Sequence, residues 1–227
     1  MKHITVLIKK PYFFALILSL FIFAASHATA NELRGQEIFL AECVGCHDIK
    51  PPAEGESIEV LLEKRAPTLR YAGSKFKSTF LLNWLQDPSP IRPLDYNSLI
   101  EKNPVSHMKL NSLDAEHVTS YLMTLRSAEV TVLKIKPEDN LKGRQIFSQR
   151  YSCYGCHQVR GDTTSGLTGG LSGPSLAQAG ERLNPDWIYA FLSSPRSFKP
   201  NGPMPVYAGI ISEEDLKELT KYIASFK

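Results

Sequence analysis

Apolar positions recur at helical spacing in matched pairs along residues 31–227. Val118-Thr119-Ser120-Tyr121-Leu122-Met123-Thr124-Leu125 and Leu219-Thr220-Lys221-Tyr222-Ile223-Ala224-Ser225-Phe226 each place apolar side chains at i, i+3, i+4 and i+7. That pattern predicts an amphipathic helix with one buried stripe in each. Both have a start signal: Asn111 stands three residues before Asp114, and Ser212 three before Asp215, a cap for backbone N–H groups with an acid that complements the helix dipole. A second pair is Leu33-Arg34-Gly35-Gln36-Glu37-Ile38-Phe39 and Leu141-Lys142-Gly143-Arg144-Gln145-Ile146-Phe147. Gly and Phe lie four apart, on one helical face, and the missing side chain lets another helix cross closely. A third pair is Phe80 and Trp84 ahead of Pro88, and Trp187 and Phe191 ahead of Pro195. A helix with two aromatics on one face, stopped by proline, suits the wall of a large flat apolar cofactor, and equally suits an ordinary core.

Pro67-Thr68-Leu69 also answers to Pro174-Ser175-Leu176, so the chain reads as an internal repeat: a first unit over 31–126 and a second over 141–227. Residues 127–140, with Pro137 and the extended-looking Val130 to Ile135, read as the linker. Two stretches are not shared. Residues 50–66, with Glu54, Glu56, Glu59 and Glu63 near Lys64 and Arg65, suggest an added charged helix. Residues 161–173, rich in Gly, Ser and Thr, lack a phosphate-cradling pattern and read as a surface loop.

The cysteines sharpen this picture. All 4 fall in Cys43-Val44-Gly45-Cys46-His47 and Cys153-Tyr154-Gly155-Cys156-His157. Two thiols three positions apart can bond to the two vinyl groups of one haem, and the histidine that follows then sits beneath the iron. A zinc site would want a second ligand pair close by, yet the nearest other histidine to the first motif is His107 and no cysteine remains. A redox dithiol does not call for the trailing histidine, still less twice. Two covalently attached haem c groups are expected.

Charge and the N-terminus set the compartment. Lys2, Lys9 and Lys10 precede an apolar run from Tyr12 to Ala25, and Ala28-Thr29-Ala30 is an A-x-A cleavage signal. Residues 1–30 therefore read as an export signal to the periplasm, its apolar run being shorter than the ~20 residues of a membrane span. No stable membrane insertion is expected after cleavage. Losing those three lysines from 26 basic residues leaves them balanced against 23 acidic ones, without the basic excess of a nucleic-acid binder.

In the order of these segments, twice over, the chain resembles class I cytochromes c in tandem, as in soluble dihaem cytochromes c, over essentially all of 31–227. The resemblance implies an all-α fold of two small helical domains, each wrapped around one haem. First and last helices would cross, Gly35/Phe39 against Tyr121 and Gly143/Phe147 against Tyr222. It implies a distal methionine shortly before each last helix. Met204, in Gly202-Pro203-Met204-Pro205, fits that place in a stiff loop, and Met108 occupies the equivalent place in the first unit. There the chain departs from the pattern, since Lys109 follows instead of proline and His107 precedes, so a bis-histidine haem through His107 stays open. Met123 reads as packing and His117 as a solvated helix position. The implied function is single-electron transfer between redox partner proteins, with no catalytic residues. The alternatives are a dihaem peroxidase-like enzyme, which needs an open iron, and the electron-accepting subunit of a dehydrogenase or oxidase.

Overall fold

The computed structural model describes residues 30–51, 57–104, 107–161 and 166–227. Residues 1–29 of the expected export signal, and Glu54 and Glu56 of the charged stretch, lie outside them.

In the first half, helix α1 (residues 30–38) passes into a π-helical turn at Phe39–Cys43. There follow α2 (Ile58–Glu63), α3 (Ala72–Lys75), α4 (Ser78–Gln86) and α5 (Ser112–Thr124). The second half repeats the plan with α6 (Leu141–Gln145), a π-helical turn at Ile146–Arg150, and a 3-10 turn at Cys153–Gly155. It continues through α7 (Ala179–Arg182), α8 (Pro185–Ser193), α9 (Pro195–Phe198) and α10 (Glu213–Ala224). The fold is largely helical, and the expectation of an all-α chain is corrected at one place. Strands β1 (Gln158–Arg160) and β2 (Leu167–Gly169) pair antiparallel, with Gln158 opposite Gly169 and Arg160 opposite Leu167. Three-residue strands are too short to leave an alternating signature.

Both expected helix crossings are present. A Cβ built at Gly35 would lie 1.9 Å from the His117 carbonyl oxygen and 2.9 Å from Tyr121 Cβ. At Gly143 it would lie 2.5 Å from both the Glu218 carbonyl oxygen and Tyr222 Cβ. Backbone thus meets backbone, and only glycine permits that approach. Beside each crossing an aromatic pair closes the core: Phe39–Tyr121 at 5.6 Å between centroids and Phe147–Tyr222 at 5.7 Å. The last helices begin where the caps predicted. Asn111 accepts from the Asp114 amide at 2.9 Å and Ser212 from the Asp215 amide at 3.1 Å, each worth about 1 kcal/mol. Asn140 caps α6 in the same way, from the Gly143 amide at 2.6 Å. His117, expected to be solvated, is half-buried with its Nδ1 enclosed and unpartnered, because α1 crosses directly over its turn. Met123 packs on the core as expected. The charged stretch does carry a helix, α2, capped by Ser57.

The two halves meet along a seam built on reciprocal contacts. Phe76 bridges Leu183, Lys77 N donates to the Arg182 carbonyl at 3.0 Å, and Asn184 N donates to the Lys75 carbonyl at 2.9 Å. These residues are separated by the same interval as Pro67 and Pro174, so each half gives the other what it receives, the signature of an isologous contact. On one side of this bridge Tyr71, Trp187, Phe191 and Phe198 pack ring on ring, and the Tyr71 hydroxyl donates to the Phe198 carbonyl at 3.1 Å. Residues 127–140 run without helix or strand but are not free. The Asp186 carboxylate accepts from the amides of Leu133, Lys134 and Ile135 at 3.0, 3.1 and 3.0 Å, and Glu138 N donates to the Lys221 carbonyl at 3.1 Å. Among the described residues, no helix is long and apolar enough to cross a membrane.

Candidate cofactor-binding site

Each first helix, slackened by its π-helical turn, delivers the chain into a cysteine motif wound as a single turn. Cys46 N and His47 N both donate to the Cys43 carbonyl, at 3.1 and 3.0 Å. Cys156 N and His157 N do the same to Cys153, at 3.2 and 3.1 Å. In both motifs the first cysteine is half-buried and the second exposed. Burial pushes the Cys43 thiol above its ordinary pKa and the Cys153 thiol up to about 11. Among the described residues no third His, Cys, Asp or Glu joins either cysteine pair to complete a zinc site.

The histidines are held alike. His47 Nδ1 donates to the Pro67 carbonyl at 2.7 Å and His157 Nδ1 to the Pro174 carbonyl at 2.7 Å. A proton fixed on Nδ1 leaves the Nε2 lone pair free for a metal, and a carbonyl partner makes that nitrogen a better donor. Desolvation lowers both histidine pKa values, which keeps the rings neutral and able to ligate. The prolines that the repeat matched by position therefore have a chemical use: their carbonyls orient the two rings.

The loop after the second motif proves part of the site rather than an ordinary surface loop. A Cβ at Gly170 would sit 2.0 Å from the Gly155 carbonyl oxygen, and one at Gly173 would sit 2.6 Å from both Cε1 and Nδ1 of His157. Gly173 N also donates to the Cys156 carbonyl at 2.7 Å. Successive glycines thus lay the backbone flat against the motif and the ring.

On the distal side the two halves differ. Met204 is half-buried and packs on the core cluster. Met108 is 39 % exposed, whereas the ring of His107 stands 6.2 Å from that of His47, centroid to centroid. Trp84 lies edge-on to His107 at 4.6 Å.

The seam also holds a group of cations that no local pattern announced. Lys75 and Arg182 correspond by the interval of the repeat, and so do Arg92 and Lys199. Burial, together with the neighbouring charges of Arg182, Arg92 and Lys199, pushes Lys75 down to about 7. Lys199 falls to about 8 through burial and the charge of Arg92, and Arg182, 6 % exposed, falls to about 10 through burial. Among the described residues no acidic side chain forms an ion pair with any of the four. The nearby orphaned polar atoms, Arg70 Nε, Arg92 Nε and Trp187 Nε1, are all donors. Arg182, Arg92 and Lys199 each reach one neutral oxygen, of Ser175, Ser172 and Asn97, at 2.7, 3.0 and 2.8 Å, which leaves their charge uncompensated. Buried charge without a counter-charge is costly, so this seam suits anionic oxygens. Haem carries two carboxylates beside its apolar ring. Paired cysteines, a histidine with Nε2 free, aromatic walls and cations without an acidic partner together fit that group.

Such an arrangement is that of a largely helical fold suited to covalent attachment of haem. Residues 141–227 match the family model described as Cytochrome c, and that segment is a cytochrome c domain, a family whose haem c is covalently bound. No curated protein and no solved structure matches the chain.

Proposed function

We propose that the chain carries two haem c groups and passes single electrons between redox partner proteins in the periplasm. Residues 31–126 are read as a second cytochrome c unit beside the domain at 141–227. Cys43 and Cys46 hold one haem and Cys153 and Cys156 the other, with His47 and His157 as proximal ligands and Met204 as the distal ligand of the second. The observation that carries this reading is the histidine–proline hydrogen bond, made at 2.7 Å in both halves by positions that correspond. A motif present by chance would not have its histidine oriented for ligation.

When bound, the haem supplies an iron that cycles between ferrous and ferric. The protein's own residues do the rest. The Pro67 and Pro174 carbonyls fix each imidazole, the stacked rings of Trp187 and Phe191 would help to keep water from the cofactor, and the seam cations would offset its carboxylates. Contacts with redox partners are expected to be small and transient. A fixed place as the electron-accepting subunit of an oxidoreductase would use the same chemistry.

The test is haem counting. Mass of the denatured protein and its pyridine haemochrome spectrum should give two covalent haems, falling to one in Cys43→Ala/Cys46→Ala. One haem in the parent protein would sink the dihaem reading. Rapid carbon monoxide binding by the reduced protein would favour a haem enzyme with an open iron instead.

A further inference from the structure

The geometry points to His107, not Met108, as the distal ligand of the first haem, giving the chain one bis-histidine haem and one histidine–methionine haem. The inference rests on the dihaem reading above. A metal–imidazole bond is about 2 Å long and a ring centre lies ~1.1 Å beyond the nitrogen, so two imidazoles on opposite sides of one metal stand about 6 Å apart. The His47 and His107 rings stand 6.2 Å apart.

Each ring is also tethered as a ligand should be. His47 Nδ1 is engaged by the Pro67 carbonyl and His107 Nδ1 by the Met108 carbonyl at 2.8 Å, so both keep Nε2 for a metal. The edge of Trp84 fixes the second ring, and Trp84 is itself held, its Nε1 donating to the Ser89 carbonyl at 2.8 Å. The chain just beyond is pinned to α4. Lys109 Nζ reaches Asp87 at 2.6 Å, and Leu110 N donates to the Leu85 carbonyl at 2.9 Å. Lys109, where the resemblance has proline, thus anchors the loop by an ion pair rather than by a stiff ring. Both His107 and Met108 are accessible, so exposure does not separate them; the placement of the imidazole does. The second half has no such pair, and its Met204 packs on the core.

The consequence is direction. Thioether ligation raises a haem's potential relative to a second imidazole. The first haem would therefore be the weaker oxidant, taking electrons from a donor docked on the first half and passing them to the haem of the second. Two haems differing tenfold in their ferrous-to-ferric ratio at a common potential are separated by ~59 mV, and at least this gap is expected.

The experiment uses protein already shown by mass to hold two haems, so failure of the dihaem reading is scored beforehand. Low-temperature electron paramagnetic resonance of the oxidised protein should give one bis-imidazole signal, and the near-infrared methionine band should count one haem. Met108→Leu should leave both unchanged, whereas His107→Ala should abolish the bis-imidazole signal and shift only one potential. A methionine band counting two haems, with one lost in Met108→Leu, would overturn the assignment. The parent protein and Met108→Leu decide the question even if His107→Ala fails to fold.

Discussion

Adding one methyl group at Gly173 should disturb the haem site of residues 141–227 without replacing a ligand. Its Cβ would meet Cε1 and Nδ1 of His157 at 2.6 Å and the Cys156 carbonyl oxygen at 3.0 Å. Carbon atoms rest about 3.5–4 Å apart, so ring or loop must yield by roughly 1 Å. The loop is held by the Gly173–Cys156 hydrogen bond at 2.7 Å, and the ring by its bond to the next residue, Pro174. Whichever yields, a contact is lost: overpacking costs about 1–3 kcal/mol and a broken hydrogen bond ~1 kcal/mol. A loss of about 2 kcal/mol lowers Tm by roughly 4–8 °C when the two lobes melt as one unit of about 200 residues. Gly155→Ala is the control, because its Cβ would meet nothing within 4 Å. Thermal unfolding followed by circular dichroism, with the Soret and methionine bands recorded alongside, reads both effects. If Gly173→Ala matched Gly155→Ala in Tm and spectrum, the glycine loop would not be pressing on the ring.

Met204→Ala should leave the haem attached through Cys153 and Cys156 but remove its methionine band and lower its potential, read by redox titration; an unchanged spectrum would exclude Met204 as a ligand. Measured at roughly pH 5, below the Lys75 pKa of about 7, Lys75→Met takes one positive charge from the seam, which favours ferric iron, so at least one potential should fall by roughly 60 mV, and no fall would mean that the cations do not face the cofactor. Asp186→Ala deletes the acceptor of three amide bonds in residues 133–135, so limited proteolysis should cut there faster than in the parent, at little cost to haem content. An unchanged cleavage rate would show that other contacts hold that segment.

What the sequence disclosed were features within reach of one helix turn or one motif. Gly35 with Phe39, Asn111 with Asp114, and Cys43 through His47 are local patterns, and local patterns carry their own physics. What it withheld depends on groups far apart in the chain. No spacing rule links His47 to a carbonyl twenty residues on, and a Gly-rich stretch looks the same whether it waves in solvent or lies against an imidazole. The cations hid for another reason: Lys75, Arg92, Arg182 and Lys199 are ordinary surface residues by composition, and only the meeting of the halves encloses them. His117 misled because its own helix gave it an outward position, while the helix crossing above it was set by Gly35. At the first distal site the position in the repeat favoured Met108, and the side-chain placement favours its neighbour.

The reciprocal bridge at Phe76 and Leu183 has a mechanical consequence. A hinge fails at one edge first, so two lobes joined by it can gape by degrees. Here the bonds from Lys77 and Asn184 flank one point and mirror each other, so tilting the lobes either way strains both at once. The lobes are therefore clasped or parted, with little between, and calorimetry should record their melting as one event. Two haems bound as proposed would keep a constant separation on such a clasp, and the rate at which an electron hops between them would vary little from one molecule to the next.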